Sequence, residues 1–114
     1  MSSSERGSAT LDDRLDLVFQ ALADRTRRAL LAHLSREPSK ITDLAAPFDM
    51  SLPAVSRHIR VLERARLVRR TIDGRVHRCA LRAGPLHEAE AWLEDYRPFW
   101  EGTLAALARY VERK

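Results

Sequence analysis

Apolar residues recur every three or four positions through most of the chain, the spacing of helices with one buried face. Leu11, Leu15, Val18 and Leu22 predict a first helix over 11–22. Asp24 predicts the N-cap of a second, Arg25 to Leu34, with Leu30, Leu31 and Leu34 turned inward. Arg36-Glu37-Pro38-Ser39 reads as a loop. A short third helix is expected around Thr42 to Phe48, burying Leu44, Ala45 and Phe48. Pro47 lacks a backbone donor, so that helix should end or tighten there. Asp49-Met50 makes the turn, and Ser51 caps a fourth helix with Val55, Ile59 and Leu62 as its buried stripe. Pro53 falls in its first turn, where proline is tolerated.

The period then changes. Leu67 to Arg70 and Val76 to Leu81 read as two strands, with Asp73-Gly74 between them as a hairpin signal. From 86 to 112 a long last helix is expected. Leu86, Ala89, Leu93, Tyr96, Trp100, Leu104, Leu107 and Val111 step by three or four throughout. Such a helix would be roughly 39 Å long, with a kink or break at Pro98. The pattern predicts a flexible N-terminal arm over 1–10 and one domain over 11–114.

Composition narrows the class. The chain has 114 residues, 45% hydrophobic and 32% charged, which suits a single soluble domain. No apolar run is long enough to span a bilayer. Met1 to Ser8 is polar and lacks the apolar centre of a signal peptide, so a cytoplasmic protein is expected. Cys79 is the single cysteine, which excludes an internal disulfide.

Charge sharpens the picture further. Residues 51–82 carry nine arginines against Glu63 and Asp73, a local +7 in a chain of net +4. Pro53, Arg57, Arg60 and Arg64 share a face of the fourth helix, away from its apolar stripe. Two short helices joined by a tight turn and followed by a basic hairpin make a winged helix-turn-helix, a mainly α fold with a small two-stranded antiparallel wing. The fourth helix would place its N-terminal part in the major groove of DNA. Ser51, Leu52, Pro53, Ser56, Arg57, His58 and Arg60 are then candidates for phosphates and base edges. Arg69, Arg70 and Arg75 on the hairpin are candidates for the flanking backbone. The bland reading is a solvated basic face, in a chain rich in arginine through codon bias. A winged helix that binds protein is a further alternative.

The stretches Ala21-Leu22-Ala23-Asp24-Arg25-Thr26-Arg27-Arg28, Asp43 to Glu63, Leu67-Val68 and Asp73-Gly74-Arg75 resemble the ArsR family of bacterial transcriptional regulators. The likeness runs in order from about Leu15 to Arg113. Its most specific part is Ser51-Leu52-Pro53-Ala54-Val55-Ser56-Arg57-His58. The resemblance implies a homodimeric repressor of its own and neighbouring genes, bound to a near-palindromic double-stranded DNA operator. It also implies that the first and last helices form the dimer interface. Arg66 departs from the pattern, because glycine is common there. Arginine must bear a left-handed cap or use another.

Metal-sensing members of the family use cysteines near the start of the third helix or Asp and His pairs on the last. Here the former region is Ile41-Thr42-Asp43, and His87 has no second histidine after it. No metal cofactor is expected, since zinc and soft metals need several converging donors. His77 and Cys79 share one strand face and could only complete a site with donors from elsewhere. His33 and His58 are not expected to be ligands.

Five of the seven aromatic residues lie in the last 23 positions: Trp92, Tyr96, Phe99, Trp100 and Tyr110. So broad a stripe suits self-association. Leu11, Leu15, Val18, Trp92, Tyr96, Phe99, Trp100, Leu104 and Leu107 are therefore the candidate dimer residues. A pocket for a small organic effector is the competing reading. No nucleophile–base pair, glycine-rich phosphate loop or paired buried carboxylates are found, so catalysis is not expected.

Overall fold

A computed structural model of the chain describes residues 9–112. Most of the expected N-terminal arm, residues 1–8, lies outside the described residues. The elements in chain order are α1 (Leu11–Leu22), α2 (Arg25–Arg36), β1 (Ser39–Lys40), α3 (Ile41–Ala45), α4 (Leu52–Arg64), β2 (Val68–Asp73), β3 (Val76–Leu81), α5 (Gly84–Glu94) and α6 (Arg97–Glu112). A 3-10 turn, Ala46–Phe48, continues α3 through Pro47. The helix tightens where a backbone donor is missing.

Side chains set the starts of α1, α2 and α4. Thr10 Oγ1 accepts from the Asp13 N–H at 3.1 Å, and the Thr10 N–H donates to the Asp13 carboxylate at 3.2 Å, a reciprocal capping box. Asp24 accepts from the Arg27 N–H at 3.0 Å and starts α2. Ser51 accepts from the Ala54 N–H at 3.3 Å and starts α4.

Two helix ends close by the same device. After α3, the Asp49 N–H donates to Ala46 O at 3.1 Å and the Met50 N–H to Ala45 O at 3.3 Å. After α4, the Arg66 N–H donates to Glu63 O and the Leu67 N–H to Leu62 O, both at 2.9 Å. These are Schellman bond pairs, and each needs a left-handed residue. Asp49 (φ 51°) and Arg66 (φ 61°) fill that role without being glycine. Arginine thus takes the strained position itself, at about 1–2 kcal/mol. Leu62 and Leu67, which flank the motif, have no exposed surface.

The wing is wider than expected. Its sheet has three antiparallel strands in the order β1-β3-β2. Ser39 pairs with Cys79 and Lys40 with Arg78, so the end of the expected loop is an edge strand. Asp73 pairs with Val76, which leaves Gly74-Arg75 as the two-residue turn, one position beyond Asp73-Gly74. Gly74 has φ 63° at the first central position, as a type II′ turn requires.

One core joins these elements. Val18, Leu30, Leu44, Val55, Ile59, Leu62 and Leu67 are at most 1% exposed. At its far side α5 packs on α1. Arg14 on α1 clamps Glu88 on α5 through two bonds of 3.0 and 2.9 Å. The expected long last helix is instead two. The break falls at Asp95-Tyr96, so Pro98 sits in the first turn of α6, where its missing donor is harmless. No residue of α6 is buried. The Cα radius of gyration is 18.4 Å, against about 13 Å for a compact chain of this length. The excess reflects a helix that leaves the core.

Candidate nucleic-acid interface

Helix α4 turns Val55, Ile59 and Leu62 into the core. The opposite side must then carry Arg57, Arg60 and Arg64, and all three are exposed. No acid among the described residues pairs with any of them. With Arg27, Ala54, His58 and Val61 they line a shallow concavity of about 800 Å³. Ser51, Leu52 and Pro53 are exposed at the helix start, and Ser56 is half-buried.

Two expected DNA residues are engaged inside the subunit. His58 lies with Nδ1 3.4 Å from Arg27 Nη1 and 4.0 Å from the Asp24 carboxylate. A guanidinium only donates, so in the neutral ring Nδ1 accepts and Nε2 keeps the proton. His58 therefore braces α4 against the start of α2, with Nε2–H left as a donor. The Arg27 backbone N–H, together with the nearby Arg27 charge, holds the Asp24 carboxyl below its ordinary range.

Arg70 is the more fully engaged of the two. Its guanidinium makes bonds of 2.7 and 3.2 Å to both oxygens of Glu63, near the end of α4. Its Nη1 also lies 3.1 Å from His77 Nδ1. The Arg70 side chain is only 16% exposed. Arg70 thus ties the wing to α4 and has little capacity left for a phosphate. Arg69 and Arg75 are exposed, with no acidic partner among the described residues.

Between α3, the first turn of α4 and the wing lies a cleft of about 380 Å³. Lys40, Thr42, Ser56, Arg75 and His77 line it, over Ile41, Leu52 and Val76. It contains no acidic side chain. Lys40 and Thr42 carry no sequence signal for this cleft, because neither belongs to the basic run or to α4.

Residues 22–71 match the family described as a helix-turn-helix domain. The crystal structure of an ArsR family transcriptional regulator, RHA00566, is 46% identical and superposes with a TM-score of 0.72, covering 77% of this chain and 97% of that one. The chain belongs to the ArsR family. That family consists of transcriptional regulators built on a DNA-binding winged helix-turn-helix, not of enzymes. The HTH-type transcriptional regulator Rv2034 of Mycobacterium tuberculosis is 49% identical over 53 residues, which are 46% of this chain and 50% of that protein. The match thus spans half the length of that relative. The transcriptional repressor SdpR of Bacillus subtilis is 28% identical over 79 residues, covering 69% of this chain and 88% of that protein.

Most of the exposed apolar surface of this ArsR-family chain lies on α1, α5 and α6. Trp92, Tyr96, Trp100, Leu104 and Leu107 are 39–60% exposed, and Phe99 is 73% exposed. Phe19, Trp92, Tyr96 and Phe99 form a chain of neighbouring rings with centroids 5.0–6.3 Å apart. On α1, Leu11 is 46% exposed and belongs with this surface. Leu15 and Val18 do not. They are 5% and 1% exposed within the subunit, so they are core residues with no area left for a second copy. The outward apolar positions of α1 are Leu11, Leu17 and Phe19.

Cys79 is fully buried on β3. Burial pushes its thiol pKa up, against the opposing pull of Arg70 across the strand pair. The protonated thiol is a poor ligand and nucleophile. Among the described residues no group of three His, Cys, Asp or Glu side chains converges in a way that would hold a metal ion. No described helix is long and apolar enough to cross a membrane.

Proposed function

We propose that the protein is a cytoplasmic, homodimeric repressor that binds a near-palindromic operator and needs no metal to do so. The observation that carries the reading is the exposed face of α4, where Arg57, Arg60 and Arg64 stand without acidic partners opposite a fully buried stripe. A cationic helix face is the shape that a major groove accepts. Ser51, Leu52, Pro53, Ser56, Arg57 and Arg60 dock there. His58 contributes at most its Nε2–H. Arg69 and Arg75 hold the flanking backbone.

Dimerisation rests on the exposed apolar surface of Leu11, Trp92, Tyr96, Phe99, Trp100, Leu104 and Leu107. A surface of that kind costs free energy in water and is relieved by a second copy. Two-fold pairing through it spaces two α4 helices for successive major grooves, about 34 Å apart. The domain is taken as 11–114, with α1 at one edge of the interface and α5 and α6 as its body. Repression follows if the operator overlaps a promoter.

The test is fluorescence anisotropy on the fragment upstream of the protein's own gene, across a salt series, with random DNA as competitor. Competitor-resistant binding with a steep salt dependence is expected. Binding no tighter than to random DNA contradicts an operator at that place. Insensitivity of operator affinity to chelator and to added zinc is expected as well. A zinc-dependent release would overturn the metal-free reading.

A further inference from the structure

We infer that the cleft between α3, α4 and the wing seats a phosphodiester of the DNA strand beside the major groove, with Lys40 and Arg75 as its two cations. The inference rests on the DNA-binding reading and adds a site and a residue to it. The cleft is lined by Lys40, Thr42, Ser56, Arg75 and His77 and has no carboxylate. Neither Lys40 nor Arg75 has an ion pair among the described residues, so both charges are free for a ligand. Thr42 and Ser56 add hydroxyl donors of the kind that bind phosphate oxygens.

The walls explain why two charges suffice. Arg70 also borders the cleft, but Glu63 neutralises it at 2.7 Å. Its effect is to fix the wing, and His77 with it, at a set distance from α4. In the neutral His77 ring, Nδ1 accepts from Arg70 and Nε2–H remains to donate. Leu52 (43% exposed) and Val76 (39% exposed) give the cleft an apolar side. A phosphate joined to deoxyribose matches that division, with anionic oxygens toward the cations and ring carbons toward Leu52 and Val76. Lys40 is brought there by the two-residue strand β1, whose pairing with Arg78 locks its backbone.

The test is salt-dependent binding of a random-sequence duplex by Lys40→Gln, Arg75→Gln and the double variant, each first checked for an unchanged melting curve. A phosphate contact acts alike on all sequences, so no operator needs to be known. The double change is expected to lower the log–log salt slope by about 1, the loss of one neutralised phosphate, and each single change by part of that. Wild-type binding with slopes unmoved by both single changes overturns the phosphate seat while leaving the α4 interface standing. No binding of any duplex by the wild type removes both. Inorganic phosphate at matched ionic strength should not compete. Phosphate binding to the free protein that Lys40→Gln abolishes, with duplex salt slopes unmoved by either single change, would assign the cleft to a free anion and overturn the inference.

Discussion

Residues 25–81 and residues 84–112 carry the same kind of apolar repeat and meet different fates. In the first region α2, α3 and α4 each bury two or three residues of their stripe, and side chains or Schellman turns close most helix ends. In the second, α5 buries Ala89 alone and α6 buries nothing. Leu62 is 0% exposed, whereas Leu104 is 60% exposed at an equivalent place in its repeat. Apolar spacing therefore dictates that a helix forms. It does not dictate which molecule covers its face. The first region supplies most of the buried core, and the second leaves most of its apolar surface exposed.

Substitutions should separate the two regions cleanly. Leu62→Ala should lower unfolding stability by about 3 kcal/mol through cavity formation, read by urea titration. Leu104→Ala should leave the same titration nearly unchanged for the dilute monomer. It should instead weaken self-association about tenfold or more, read by analytical ultracentrifugation. Equal losses of folding stability at both positions would erase the contrast.

Arg57→Ala tests the cationic half alone. Operator affinity should fall by about 1–3 kcal/mol, with the melting temperature and the oligomeric state unaltered. Unchanged operator binding would remove Arg57 from the reading face.

Arg66→Gly should raise folding stability by about 1 kcal/mol, because glycine relieves the left-handed cap. A destabilised variant would mean that the arginine side chain contributes more than its backbone strain removes.

The smallest effect concerns acid. Asp24 is held below the ordinary carboxyl range first by the Arg27 N–H, and Glu88 first by the Arg14 side chain. Both folded pKa values are depressed, so their contribution is complete above the unfolded value of about 4. It is lost as pH falls through the lower folded values. Melting temperatures should thus be flat near neutrality and decline below about pH 4. Asp24→Asn should shallow that decline, and an unchanged slope would discount the Asp24 contribution.

Much of the fold is legible in the sequence. Leu11–Leu22 was bounded correctly by its repeat, and Asp24 and Ser51 announced two helix starts, because capping is a local event. Pro98 announced a break but not its place, since proline also fits a first helical turn. Ser39-Lys40 could not be read as a strand, because two residues show no alternation. The candidate site was legible in its charge and less so in its pairings. Arg70 looked as free as Arg69 until Glu63 and His77 came together around it. His58 met Asp24 and Arg27, more than thirty positions earlier in the chain. Leu15 and Val18 read equally well as interface or core, because a repeat marks a helical stripe without naming its partner.

The Glu63–Arg70 tie has a kinetic consequence. It joins the end of α4 to the first half of β2, so it opposes separation of the helix and the hairpin. A protein of this build need not order its wing after the helix has landed, so each productive collision can engage both at once. Its association rate is then governed by charge steering and should fall with ionic strength. Cutting the strut with Glu63→Gln would add a slower ordering step after first contact, visible as a second phase in stopped-flow traces.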